Sequence, residues 1–117
     1  MTEESLSQPE AQMFERNIGH MAKREREVLV WVRGINDPKT GFVAGLDESS
    51  LQLCLTSNQG LSLIRRSDIV TIEETGNTLG TLVRSGIISQ DVVDAIREKT
   101  EHFKRKATAL YSRAPKK

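Results

Sequence analysis

A single cysteine, Cys54, is all the thiol chemistry in this chain of 117 residues. No internal disulfide can form, and nothing points to an oxidising compartment. Cys54 lies among apolar residues of a strand-like stretch, where it reads as a small buried hydrophobe. No apolar run is long enough to span a bilayer, and the acidic amino terminus lacks a signal-peptide pattern, so a soluble, cytoplasmic protein with no membrane partner is expected. Catalytic signatures are missing as well. His20 and His102 stand far apart, with no H-x-x-E, C-x-x-C or G-x-S-x-G spacing near them, and each reads as a surface or packing residue of a helix. The adjacent carboxylates Asp47-Glu48 and Glu73-Glu74 point to opposite faces of an extended chain and cannot share a proton. There is no phosphate-binding glycine loop. The expectation is a non-enzyme with neither cofactor nor metal.

Net charge is also scarce, +1 for the whole chain, yet its distribution is uneven. Residues 1–15 carry the four acids Glu3, Glu4, Glu10 and Glu15 and no base, whereas residues 97–117 carry eight bases against Glu98 and Glu101, a local charge of +6. A basic tail on a nearly neutral protein is either an electrostatic footprint for phosphate or a solvated helix face. The length is that of one domain with appendages.

The pattern along the chain predicts a mostly β domain with flanking helices. After a disordered 1–6, Ser7-Gln8-Pro9-Glu10 has the form of a capping box. It opens a helix running to about Arg24, with Phe14, Ile18 and Met21 on one face and the polar run KRERE (23–27) closing the other. Strand signals follow at Val28–Val32, Phe42–Leu46, Leu51–Leu55, Leu61–Ile64 and Ile69–Ile72, separated by turns at 36–39 and 58–60. Gly45 marks a strong bend. The period changes after Glu73-Glu74-Thr75-Gly76-Asn77. A short helical turn at Leu79–Val83 stops near Gly86, and a long amphipathic helix starts at the N-cap Ser89, carries Val92, Ile96, Phe103, Ala107 and Leu110, and is interrupted at Lys99-Thr100. The organisation reads as a barrel-like domain with its first helix over 7–76, a helical extension over 77–112 and a basic tail over 113–117. No internal repeat is present.

VLVWVRG (28–34), GFVAGLD (41–47) and LQLCL (51–55), followed by IRRSDIV (64–70), resemble the two motifs of the Sm and Sm-like family in order, spacing and strand count. The resemblance covers roughly residues 28–74. It implies a five-stranded, strongly bent antiparallel barrel of the SH3-like kind with a helix before its first strand. It also implies a homo-oligomeric ring of six or seven subunits, joined through the fourth strand of one copy and the fifth of the next.

For function, the resemblance implies single-stranded RNA bound around a pore. In the family an aromatic or long apolar residue after the Asp corner stacks on a base, an Asn beyond it reads the base edge, and the Arg of an Arg-Gly pair supports the pocket. Here Asp47 matches the corner and Arg65 the arginine. Ser49 and Ser50 occupy the stacking stretch, Leu51 or Gln52 the Asn position, and Arg66 stands where the family has Gly, a replacement that would strain a corner of positive φ. The site residues are therefore Asp47, Ser49, Ser50, Gln52, Arg65 and Arg66, with weak sequence preference and a role in RNA metabolism or chaperoning. In the competing structural account Arg65 pairs with Asp68 or Asp47 and only fixes the corner. Lys23, Arg24 and Arg26, with Lys104, Arg105 and Lys106, form a second candidate phosphate surface. The alternative function is an oligomeric scaffold that has lost base recognition and holds protein partners through its helical extensions, the carboxy-terminal helix above all.

Overall fold

The computed structural model describes residues 8–109. The expected disordered 1–6, the cap at Ser7, the end of the last helix at 110–112 and the tail 113–117 lie outside the described residues. Helix α1 spans Gln8–Lys23. It places Ile18 and Ala22 in the core and packs Phe14 and Met21 against it, as the spacing predicts. Glu25 ends the helix in a left-handed conformation (φ 54°), and its amide donates back to the Ala22 carbonyl at 3.1 Å. This is the usual way an α-helix closes, here without glycine. KRERE is consequently not one helix face: the chain reverses within it, and Arg26 and Glu27 open the first strand.

Five strands form one open antiparallel sheet: β1 (Arg26–Val32), β2 (Lys39–Leu46), β3 (Ser50–Leu55), β4 (Leu61–Arg65) and β5 (Ile69–Thr78), in the order β4-β3-β2-β1-β5. The two edges are thus β4 and β5, joined by a 3-10 turn at Arg66–Asp68. The pairing of β2 with β3 slips between Val43 and Gly45. This bulge sits at the bend expected of Gly45. At Gly41 the strands approach so closely that a Cβ would lie 2.2 Å from the Cys54 carbonyl oxygen. β5 is longer than its apolar run, because β1 supplies ladder partners for Glu73 and Glu74 (opposite Leu29 and Val28) and for Thr78 (opposite Arg26). Pairing overrides the turn-like composition there.

Alternation sorts the core into two clusters. Val28, Val30, Val43, Leu51, Leu53 and Ile64 point to one side, with Ile18, Ala22, Phe103 and Ala107 from the helices. Phe42, Ala44 and Cys54 point to the other, under Leu79 and Leu82 of α2 (Leu79–Arg84) and Val93 and Ile96 of α3 (Gln90–Ala107). Buried on both faces, β2 is the central strand of the packing. Ser89 caps α3 by accepting from the Val92 amide, as expected. The helix is not interrupted at Lys99-Thr100. Thr100 is buried and completes the stripe Val93, Ile96, Thr100, Phe103, Ala107 at helical spacing, so a single polar side chain in an apolar stripe does not break the helix.

Candidate functional site

The β2–β3 turn is organised by one carboxylate. Asp47 Oδ1 accepts from the amides of Ser49 and Ser50, each at 2.8 Å, and from their hydroxyls at 3.3 and 3.1 Å. The Asp47 amide donates to the Ser50 carbonyl at 3.0 Å. The backbone donors of Ser49 and then Ser50 hold the Asp47 carboxyl below its ordinary pKa. The turn is exposed, and Asp47, Ser49 and Ser50 form a self-contained unit whose hydroxyls face inward to the carboxylate.

The β4–β5 corner docks on this turn. The Arg66 amide donates to the Ser49 carbonyl at 2.8 Å, and Arg66 Nη1 donates to the Asp47 carbonyl at 2.7 Å. The same guanidinium lies 3.5 Å from the Glu15 carboxylate and over the Phe14 ring, 4.8 Å from its centroid. Arg66 therefore joins α1 to both corners, the cation–π contact adding to the ion pair. Its φ is not positive. It begins a 3-10 turn, and the expected strain of a non-glycine residue at that corner is absent.

Arg65 behaves in the opposite way. It is exposed and pairs across the ladder with Ser50, but its guanidinium makes no hydrogen bond or ion pair with any described residue. The corner-fixing role considered for Arg65 belongs to Arg66, whose guanidinium rather than that of Arg65 reaches the Asp47 turn. Gln52 lies one step along the same strand face, exposed and opposite Leu63. Its Oε1 sits 2.8 Å from where a Cβ on Gly45 would stand. The structure thus brings all six predicted residues to one end of the β3–β4 hairpin, with Arg65 and Gln52 exposed and their side chains unengaged among the described residues.

The second basic surface is largely paired internally. Arg26 Nη1 reaches Glu74 at 2.7 Å. Lys104 contacts Glu25 at 2.8 Å and Glu101 at 3.4 Å, and Arg105 contacts Glu101 at 3.7 Å. Lys23 also has an interaction partner, whereas Arg24 and Lys106 are exposed. Arg97 forms a two-pronged pair with Glu25, and Lys99 Nζ donates to the Gln59 carbonyl. Much of the positive charge expected to serve phosphate is instead engaged internally, and Arg97, Lys99 and Lys104 dock α3 on the α1–β1 turn and the β3–β4 loop.

Three residues escaped the sequence reading. Glu25 receives Arg97 and Lys104, which lower its pKa to about 2, the Arg97 hydrogen bond contributing most and burial opposing. Glu27 is 6% exposed and accepts from Thr56 at 2.7 Å, Thr75 at 2.9 Å and Asn77 at 3.4 Å. Arg33 bridges to the 3-10 turn through its amide, 2.7 Å from the Asp68 carbonyl, and through Nη2, 3.3 Å from the Ser67 carbonyl. All three sets link segments remote in sequence, so no local spacing announces them. Cys54 is fully buried, which raises its thiol pKa. Burial first, then Lys23, Arg24 and Arg16, lowers the pKa of His20, whose Nδ1 has no hydrogen-bond partner among the described residues. No three His, Cys, Asp or Glu side chains converge on a metal-sized site among the described residues, and no described helix is long and apolar enough to cross a membrane.

No family model matches this chain, and no curated protein matches it. The architecture and the corner geometry therefore carry the functional reading.

Proposed function

We propose that this chain is an Sm-like protein that assembles head to tail into a ring and binds single-stranded RNA through its β2–β3 and β4–β5 corners. One observation carries the reading: Arg65 stands exposed beside the Asp47 turn, its guanidinium without a partner among the described residues, while Arg66 beside it is tied into the fold. An unpaired guanidinium on a rigid corner can take a phosphate without first breaking an internal pair. Gln52 offers donor and acceptor to a base edge, whereas the Ser49 and Ser50 hydroxyls are turned onto Asp47. The turn itself carries Ser49 and Ser50 where a base would stack, and Phe14 is engaged by Arg66; stacking is worth about 1–3 kcal/mol per base. Phosphate contacts should therefore dominate, with little sequence preference.

Ring assembly is supported by the edges. β4 and β5 are the unpaired sides of the sheet and expose Leu61 (53%), Leu63 (68%) and Val70 (65%). Bare apolar edges are an aggregation hazard that pairing between copies removes.

The alternative, a scaffold that binds protein partners, is favoured by the inward-facing hydroxyls of the turn and by the internal pairing of α3. Light scattering at micromolar concentration tests the ring, and a monomer would remove it. Fluorescence titration with U-rich, A-rich and mixed 10-mers at two salt concentrations tests RNA. Binding that collapses in Arg65→Ala supports the corner site. Absence of binding to all three oligomers leaves the scaffold.

A further inference from the structure

We propose that Arg33, on the loop after β1, is the second cation of the candidate phosphate site, in place of Arg66. The inference rests on the RNA reading above. Arg33 is exposed, and its backbone amide and its Nη2 both bind the 3-10 turn that follows Arg65, at the Asp68 and Ser67 carbonyls. The β1–β2 loop is thereby fastened to the β4–β5 corner, so that Arg33 binds the same three-residue turn that Arg65 immediately precedes.

Their electrostatic state distinguishes them from the other basic groups at this end. Among the described residues, the one partner of the Arg33 guanidinium is a neutral carbonyl. No carboxylate among the described residues, Asp68 included, lies within ion-pair distance of Arg33 or Arg65. Arg66, by contrast, already has the Glu15 carboxylate. A guanidinium carries five N–H donors, so the single bond to Ser67 orients Arg33 and leaves most of its donors for a ligand. Orientation in advance lowers the entropy lost on binding. Two such groups on one turn suit the non-bridging oxygens of a phosphodiester, which accept from planar N–H forks.

The test uses the full chain and a labelled U-rich 10-mer, with affinity measured over a series of salt concentrations for wild type, Arg33→Gln, Arg33→Lys and Arg65→Ala, after circular dichroism has matched their folds. For single strands the slope of log K against log salt changes by about 0.7 per phosphate neutralised. Arg33→Gln is expected to flatten the slope by about that amount per bound subunit, and Arg33→Lys to restore the slope at lower affinity. Wild-type slope and affinity in Arg33→Gln, with weakened binding in Arg65→Ala, would overturn the role of Arg33 and leave the RNA reading standing. A slope flattened in Arg33→Lys as much as in Arg33→Gln would also overturn it, because the effect would then be structural and not one of charge. No binding by the wild type, or binding indifferent to Arg65→Ala, would remove the corner site and this inference with it.

Discussion

Glu25 and Arg97, 72 residues apart in sequence, meet through both ends of the guanidinium, with Nε 2.8 Å from Oε2 and Nη2 2.9 Å from Oε1. Lys104 Nζ, at 2.8 Å, completes a three-residue cluster that fastens α3 to the turn between α1 and β1. Glu25 holds this position at a left-handed φ of 54°, a conformation that costs a non-glycine residue roughly 1–2 kcal/mol. The pair and the backbone strain therefore oppose one another at a single residue.

Separating them is an experiment on stability. Glu25→Ala should lower the unfolding free energy by about 1 kcal/mol, a value held down by solvent screening because the Arg97 side chain is 45% exposed. Glu25→Gly loses the same pair but relieves the backbone, and should be more stable than Glu25→Ala by about 1 kcal/mol. Urea unfolding of the two variants reads the difference. Equal midpoints would mean that the left-handed turn carries no strain.

The same residue sets an acid limit. The Arg97 hydrogen bond, with Lys104 beside it, pulls the Glu25 carboxyl down to about 2 in the folded chain, against 4.5 for an unperturbed glutamate. Between these values the unfolded state binds the proton and the folded state does not, so stability falls as pH falls. The contribution of Glu25 is fully present above about pH 4.5 and is lost as pH drops through about 2. Glu25→Gln should flatten the decline of thermal stability across that window. An unchanged pH profile would argue against a depressed pKa.

Arg65 and Arg66 are neighbours with contrary expected phenotypes. Arg66→Ala removes the bond to the Asp47 carbonyl, the Glu15 pair and the Phe14 contact, and should cost about 1–2 kcal/mol. Arg65→Ala removes no internal partner and should stay within about 0.5 kcal/mol of wild type. Denaturant unfolding, run beside the RNA titration, gives both answers. A stable Arg66→Ala protein would show that the corner is held by its backbone alone.

Gly41 and Gly45 differ in what an added methyl would meet. At Gly41 it would stand 2.2 Å from the Cys54 backbone oxygen, whereas at Gly45 it would stand 2.8 Å from Oε1 of the Gln52 side chain. The backbone of a paired strand cannot step aside, but the end of a glutamine can. Gly41→Ala should therefore destabilise by about 3 kcal/mol or more, and Gly45→Ala by no more than about 1 kcal/mol. Thermal unfolding ranks them, and the reverse order would place the tight approach elsewhere.

Period and punctuation in the sequence were enough to place most elements, though not the extension of β5 beyond Ile72 or the continuity of α3 through Lys99-Thr100. The alternation of Leu51, Leu53 and Leu55, the β-branched run at 28–32, the cap at Ser89 and the bend at Gly45 are local signals, and hydrophobic burial enforces them wherever the chain folds. The apolar neighbours of Cys54 likewise set its buried state. The tertiary structure decided how the charges are engaged. Arg65 and Arg66 look alike in sequence, yet only the latter reaches Phe14, Glu15 and the Asp47 carbonyl. Arg97, Lys99 and Lys104 look like a phosphate-binding tail, yet Glu25 and the Gln59 carbonyl hold them. Arg33 carries no local mark, yet it lies on the turn that follows Arg65. The physical reason is range: periodicity is a property of neighbours a few residues apart, whereas a charge is free or paired according to which distant segment the fold brings within about 4 Å of it.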